Sequence, residues 1–248
     1  MTTFKKLLIA APLLLLVYGG YGLYQELAKS KNEDPLVWEN DIAAFEEKLL
    51  EKPAKDGAIL FIGSSSIRFW DSIEQDMKPF DVVQRGFGGS KFLDVVHYAD
   101  RLLEIGAQPA AIGVFVGTND VHPGAAKDPA LLLQRYQEFI GKVRNKYPDT
   151  PVYYIAITPS KMRWGVWDVA QKTNLLINEY SSTQNKLFVI DVGAGLLGSD
   201  GKPNSDLYRF DGLHLNEKGY VHWSKVILSR MLADLYGTKQ TWKPLSKI

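Results

Sequence analysis

Five short apolar runs, at residues 58–62, 81–84, 112–116, 152–157 and 187–190, alternate with longer stretches of helical spacing, and this alternation narrows the possible folds more than any other feature. The run at 58–62 reads AILFI and that at 112–116 reads IGVFV, with no charged or polar side chain to face water. Strands of this kind belong in a parallel sheet, where crossover helices cover both faces. The run at 81–84 is shorter and more polar than the rest. Helical patterns occupy residues 67–77, 92–105, 129–146, 166–182 and 217–236. A further helix opens at Asp34-Pro35, after which Trp38, Ile42, Phe45 and Leu49 recur at intervals of three and four. The pattern predicts one α/β domain over residues 32–248, a five-stranded parallel sheet in a three-layer α/β/α arrangement.

Residues 1–31 read differently. Lys5 and Lys6 precede an apolar run over residues 7–24, interrupted only by Pro12 and glycines. Its length is close to the roughly 20 residues that span a bilayer, and its charged start suits either an export signal or an uncleaved anchor. Tyr18, Tyr21 and Tyr24 fit an interfacial belt. Gly20 and Gly22 offer only a weak version of the small-residue pair that a signal peptidase requires. The expectation is a membrane anchor or signal segment with a short polar linker. The domain then faces outward, in a periplasmic or extracytoplasmic space, or is secreted if the segment is cleaved. The net charge of +1 gives no electrostatic reason to bind nucleic acid. With no cysteine, disulfides, thiol catalysis and Cys-ligated metals are excluded.

In an open parallel sheet, ligands bind outside the carboxyl ends of the strands. The residues immediately after each run are therefore the informative ones. After the first comes Gly63-Ser64-Ser65-Ser66, and after the second Gly86-Phe87-Gly88-Gly89-Ser90. Gly117-Thr118-Asn119-Asp120 and Thr158-Pro159-Ser160 come after the third and fourth, and the loop after the fifth ends in Asp211-Gly212-Leu213-His214. A serine hydroxyl needs an adjacent base before it attacks a carbonyl, and an imidazole needs a carboxylate to fix its tautomer. Backbone N–H groups in a glycine-rich turn and an Asn amide can stabilise the oxyanion that forms. Each stretch taken alone also reads as a helix cap or a tight turn. The three adjacent serines cannot be told apart on residue type.

Together these blocks, in order and position, resemble the SGNH (GDSL-like) hydrolase superfamily from about Trp38 to Tyr220. The resemblance implies a flavodoxin-like fold and a serine esterase or acylhydrolase that needs no cofactor and no metal. It assigns the nucleophile to Ser65 and the activating pair to Asp211 and His214. The oxyanion donors would be the backbone of Ser65 and Gly89 and the side chain of Asn119. The implied substrate is a small acyl ester, with lipid or acetylated carbohydrate both admitted. Ser64 stands where the eponymous motif has Asp, and Gln84 where the second block often begins with Asn; neither position is catalytic in the family. Pro159-Ser160 and Arg163-Trp164 resemble one branch of these proteins and carry no assigned role.

Three other readings compete. A metal-dependent hydrolase would draw on Asp120, His122, Asp211 and His214, but the sequence has no His-x-x-x-His pair. A non-catalytic binding module would keep the cleft and lack a member of the triad. A nucleotide-binding domain would need a phosphate loop that is absent after the first run. His97 and His222 read as residues of amphipathic faces. Trp164 and Trp167 are candidates for the rim of the ligand edge, and Trp70 for either rim or core.

Overall fold

The computed structural model describes residues 29, 31–124 and 126–237. The expected membrane segment and the tail beyond Gly237 lie outside the described residues; among those described, no helix is long and apolar enough to cross a membrane. The strands are β1 (Ile59–Gly63), β2 (Val82–Gly86), β3 (Ala111–Phe115), β4 (Val152–Ile155) and β5 (Leu187–Ile190). All pair in parallel, in the order β2-β1-β3-β4-β5. The α-helices are α1 (Glu39–Glu51), α2 (Ser65–Arg68), α3 (Ile73–Asp76), α4 (Phe92–His97), α5 (Ala99–Leu102), α6 (Pro129–Lys146), α7 (Trp167–Ser182) and α8 (Glu217–Tyr236).

Side chains alternate across the sheet and build a core on each face. Leu60, Ile62, Ile112 and Val114 pack with Ile42, Phe92, Tyr136 and Tyr154 on one side. Ile59, Phe61, Phe115 and Ile155 pack with Trp70, Trp223 and Ile227 on the other. Every residue of β1, β3 and β4 is buried, which is why those strands carry no charged side chain. The more polar β2 is an edge strand, only partly buried over its first three residues.

The first helix starts as expected. Asp34 caps it by accepting the N–H of Leu36, Pro35 sits in the first turn, and a 3-10 turn (Pro35–Trp38) leads into α1. Two of the expected helices are instead pairs of short ones. The stretch at 67–77 becomes α2 and α3, although Ile67, Trp70, Ile73 and Met77 are all buried as their spacing implied. Gln84 on the edge strand donates to the carbonyls of Ile67 (2.6 Å) and Trp70 (3.2 Å), replacing donors that a continuing helix would supply. The stretch at 92–105 divides at Tyr98 into α4 and α5. The buried guanidinium of Arg85 donates to the carbonyls of Arg101 (2.8 Å) and Glu104 (2.7 Å) where the second piece ends.

Glycines let the strand ends meet α2. Gly63 has φ +157°, and a Cβ there would stand 2.0 Å from the Phe115 carbonyl oxygen. A Cβ on Gly86 would stand 2.2 Å from the Arg68 nitrogen. A larger residue at Gly63 would press on the backbone of β3, and one at Gly86 would displace α2, the helix that begins with Ser65.

Candidate active site

The carboxyl edge of the sheet collects the residues singled out by sequence. In register, Gly63 lies opposite Gly86 on one side and Phe115 on the other. The loops leaving β1, β2 and β3 therefore start side by side, carrying Ser65, Gly89 and Asn119.

Ser65 opens α2 and is 6% exposed. Its Oγ lies 2.8 Å from Nε2 of His214, whose Nδ1 lies 2.7 Å from Oδ2 of Asp211. An ionised carboxylate only accepts hydrogen bonds, so Nδ1 carries the proton and Nε2 is left to accept the Ser65 hydroxyl. Among the three adjacent serines, Ser65 is the one bonded to the imidazole. Asp211 is itself fixed by the N–H groups of Leu213 (2.9 Å) and His214 (3.0 Å), both donating to Oδ1. Burial pushes the pKa of Asp211 up, but the hydrogen bond from the His214 ring and those two N–H groups outweigh it and hold the pKa at about 2.

The loop that presents Asp211 and His214 is pinned from several sides. Asn216 caps α8 by accepting the N–H of Gly219, while its amide donates to the carbonyls of Asp206 and Tyr208. Gly212 adopts φ +63°, the left-handed turn that brings the imidazole back beside its carboxylate. The Gly212 carbonyl accepts the N–H of Met162 at 3.0 Å, joining the loop to the 3-10 turn (Lys161–Val166) after β4. The His214 ring packs edge-on against Phe69 at 4.9 Å, and the guanidinium groups of Arg68 and Arg209 lie on that phenyl ring. Sequence reasoning missed Phe69; its place directly after α2 was the available signal.

Asn119 is buried, and its side-chain amide donates one hydrogen to the Ser90 carbonyl at 3.0 Å. An amide nitrogen has two hydrogens, so one remains for a ligand. Gly89 occupies a buried turn at φ +83°, closed by the Ser90 N–H on the Phe87 carbonyl. Asp120, next to Asn119, is fully buried and accepts the Phe92 N–H at 3.0 Å. This contact between two loops was not foreseen from sequence.

The N-terminal end of the domain reaches the same edge. The buried Lys91 donates through Nζ to the Asn32 carbonyl at 2.5 Å, and Glu33 pairs with both Lys91 (3.3 Å) and Lys127 (3.0 Å).

Among the described residues, no three His, Asp or Glu side chains are grouped to hold a metal. Asp211 and His214 bond each other, Asp120 turns to a backbone N–H, and His122 contacts the Pro123 carbonyl. His97 is exposed and packs against Tyr98, and His222 reaches the Val192 carbonyl. Trp70 belongs to the core, stacked on Tyr220, whereas Trp164 and Trp167 are half-buried and stack on each other.

Residues 61–221 match the family model for the GDSL-like Lipase/Acylhydrolase family, and the chain belongs to that family. Its members on this fold cleave ester bonds, and the protein is a carboxylic ester hydrolase. Solved structures share the architecture. A Streptococcus pneumonia protein named for platelet activating factor aligns over 91% of this chain and 99% of its own, with 24% identity and a TM-score of 0.67. A GDSL-like lipase from Bacteroides thetaiotaomicron aligns over 78% of this chain and 99% of its own (18% identity, TM-score 0.59). A carbohydrate esterase family 3 protein from Talaromyces cellulolyticus aligns over 74% of this chain and 100% of its own (16% identity, TM-score 0.58). A search of curated proteins found no match.

Proposed function

We propose that the protein hydrolyses a small acyl ester with Ser65 as nucleophile, His214 as general base and acid, and Asp211 as the orienting carboxylate. The observation that carries this reading is the unbroken relay from Asp211 through His214 to Ser65, at 2.7 and 2.8 Å. Nε2 takes the hydroxyl proton as Oγ bonds to the ester carbon, and the carbonyl oxygen becomes an oxyanion. The Ser65 and Gly89 N–H groups and the Asn119 amide receive that charge, in a site from which water is largely excluded. The imidazolium, steadied by Asp211, then protonates the departing alkoxide. Water enters, gives a proton to Nε2, attacks the acyl-serine, and releases the acid with Ser65 regenerated.

The burial of Ser65 and the packing of Phe69 beside His214 support a short acyl group. A carbohydrate esterase and a lipase both occur on this fold, so an acetylated sugar and a lipid ester are the two alcohol classes to compare. The sequence supports a membrane tether through residues 7–24, with the domain of residues 32–248 on the outer side.

The test is hydrolysis of p-nitrophenyl esters of increasing chain length by residues 32–248, with EDTA present and Ser65→Ala alongside. We expect activity that is unaffected by EDTA, greatest for the shortest esters and abolished by the substitution. Activity that persisted in Ser65→Ala would remove Ser65 as nucleophile.

A further inference from the structure

Asp120 takes no part in the proton relay or in holding the oxyanion, yet its side chain is wholly inaccessible to solvent. Oδ2 accepts the Phe92 N–H at 3.0 Å, while Oδ1 makes no hydrogen bond and faces Arg135 Nη1 at 3.6 Å. Its main chain is fixed too: the N–H donates to the Gly117 carbonyl (3.0 Å), and the carbonyl accepts the Lys127 N–H (2.9 Å). Phe92 begins α4, two residues after Ser90, whose carbonyl receives the Asn119 amide. Consecutive residues of the β3 loop thus grip the β2 loop at two nearby points. Asn119 does so through the hydrogen it gives to Ser90, and Asp120 through the hydrogen it takes from Phe92. Rotation of either loop about one bond would stretch the other.

We infer that Asp120 is a positioning residue of the oxyanion hole, setting the separation of the Asn119 amide from the Gly89 N–H by clamping the β3 loop to the start of α4. The inference rests on the assignment of Asn119 and Gly89 as oxyanion donors. Donors act only when they sit where the charge develops, and a displacement of about 1 Å can cost on the order of a hundredfold in rate. The clamp needs an acceptor on the side chain at this length, not a negative charge. Burial pushes the Asp120 pKa up to about 7, with the Phe92 N–H and the charge of Arg135 acting in the opposite direction. An amide of the same shape keeps the oxygen that accepts the Phe92 N–H and gives up only the 3.6 Å contact with Arg135.

The experiment compares kcat and KM for Asp120→Ala, Asp120→Asn, Asp120→Glu, Asn119→Ala and the Asn119→Ala/Asp120→Ala double variant. Rates are taken per active serine, counted by end-point titration with an organophosphate. We expect Asp120→Ala to lower kcat by about ten- to a hundredfold with KM nearly unchanged. Asp120→Asn should recover at least tenfold of that loss, and Asp120→Glu, which retains the charge but is longer, should not. Because Asp120 acts through Asn119, the double variant should be little slower than Asn119→Ala alone. Additive losses in the double variant, or full kcat in Asp120→Ala beside an impaired Asn119→Ala, would overturn the inference. Should Asp120→Ala not fold, the Asn and Glu variants decide, since a charge requirement would reverse their order. Unchanged turnover in Asn119→Ala would instead sink the oxyanion assignment on which the inference stands.

Discussion

A serine hydroxyl holds its proton near neutral pH, so the proposed nucleophile Ser65 would depend on the imidazole 2.8 Å away, and the imidazole in turn on a carboxylate that stays ionised. Asp211 meets that requirement because three hydrogen bonds offset the cost of its burial. Asp211→Asn should leave the fold intact and lower kcat by about a thousandfold or more, because an amide can orient the ring in the wrong tautomer. The same bonds tie the group to stability. Its pKa falls from 3.8 to about 2 on folding, so its contribution is fully present above pH 4 and is lost as pH falls towards 2. The contribution is about 2 kcal/mol. Urea midpoints of wild type and Asp211→Asn should converge as pH is lowered from 5 to 2; a gap that stayed constant would refute the linkage. These residues were visible in the sequence because each follows an apolar run or closes the last loop. The choice of Ser65 over its neighbours was not visible in residue type and came from the family resemblance. Asp120 could not be identified as a clamp, since its partner Phe92 is 28 positions away and no spacing rule joins two loops.

Among the elements, α2 illustrates how a correct periodicity can still give the wrong length. Ile67, Trp70, Ile73 and Met77 form an apolar stripe at intervals of three and four, and all four are buried. The backbone nevertheless turns between Arg68 and Ile73, because Gln84 supplies donors from a strand whose position beside β1 is a tertiary fact. Arg85 ends α5 in the same way. The strands were read almost to their ends because burial on both faces leaves an uninterrupted apolar signature. The close fit of α2 to β2 yields its own test. A methyl group on Gly86 would lie 2.2 Å from the Arg68 nitrogen, and backbone cannot yield as a flexible side chain would. Gly86→Ala should destabilise the fold by about 1–3 kcal/mol and lower turnover more than its stability loss explains, because relief moves the helix that bears Ser65. Thermal melts together with kcat at a temperature where the variant is fully folded would separate the two effects; normal kcat there would contradict a shift of the helix.

For the molecule as a whole, the alternation of runs and helical stretches gave the α/β class, whereas the strand order followed from the flavodoxin-like fold that the family resemblance implied and not from the runs themselves. That order has β1 between β2 and β3, so successive connections leave β1's neighbourhood in opposite directions. In open sheets ligands bind where such connections diverge, and Ser65, Asn119 and His214 gather at that edge. The proposed tether can be checked at this scale: full-length protein should remain with membranes after a carbonate wash, and recovery of a soluble form about twenty residues shorter would show cleavage instead. The contacts of Asn32 and Glu33 with Lys91 and Lys127 place the start of the domain at the rim bearing Ser65, not at the opposite end of the sheet. Were residues 7–24 seated in a bilayer, as proposed, Lys29, paired with Asp41 at 2.7 Å, would hold the start of the domain close to the membrane surface. A hydrolase tethered beside its own mouth would work in a thin layer above the lipid. Esters displayed in that layer would then meet the proposed nucleophile at a high effective concentration, and those dissolved in the bulk would not.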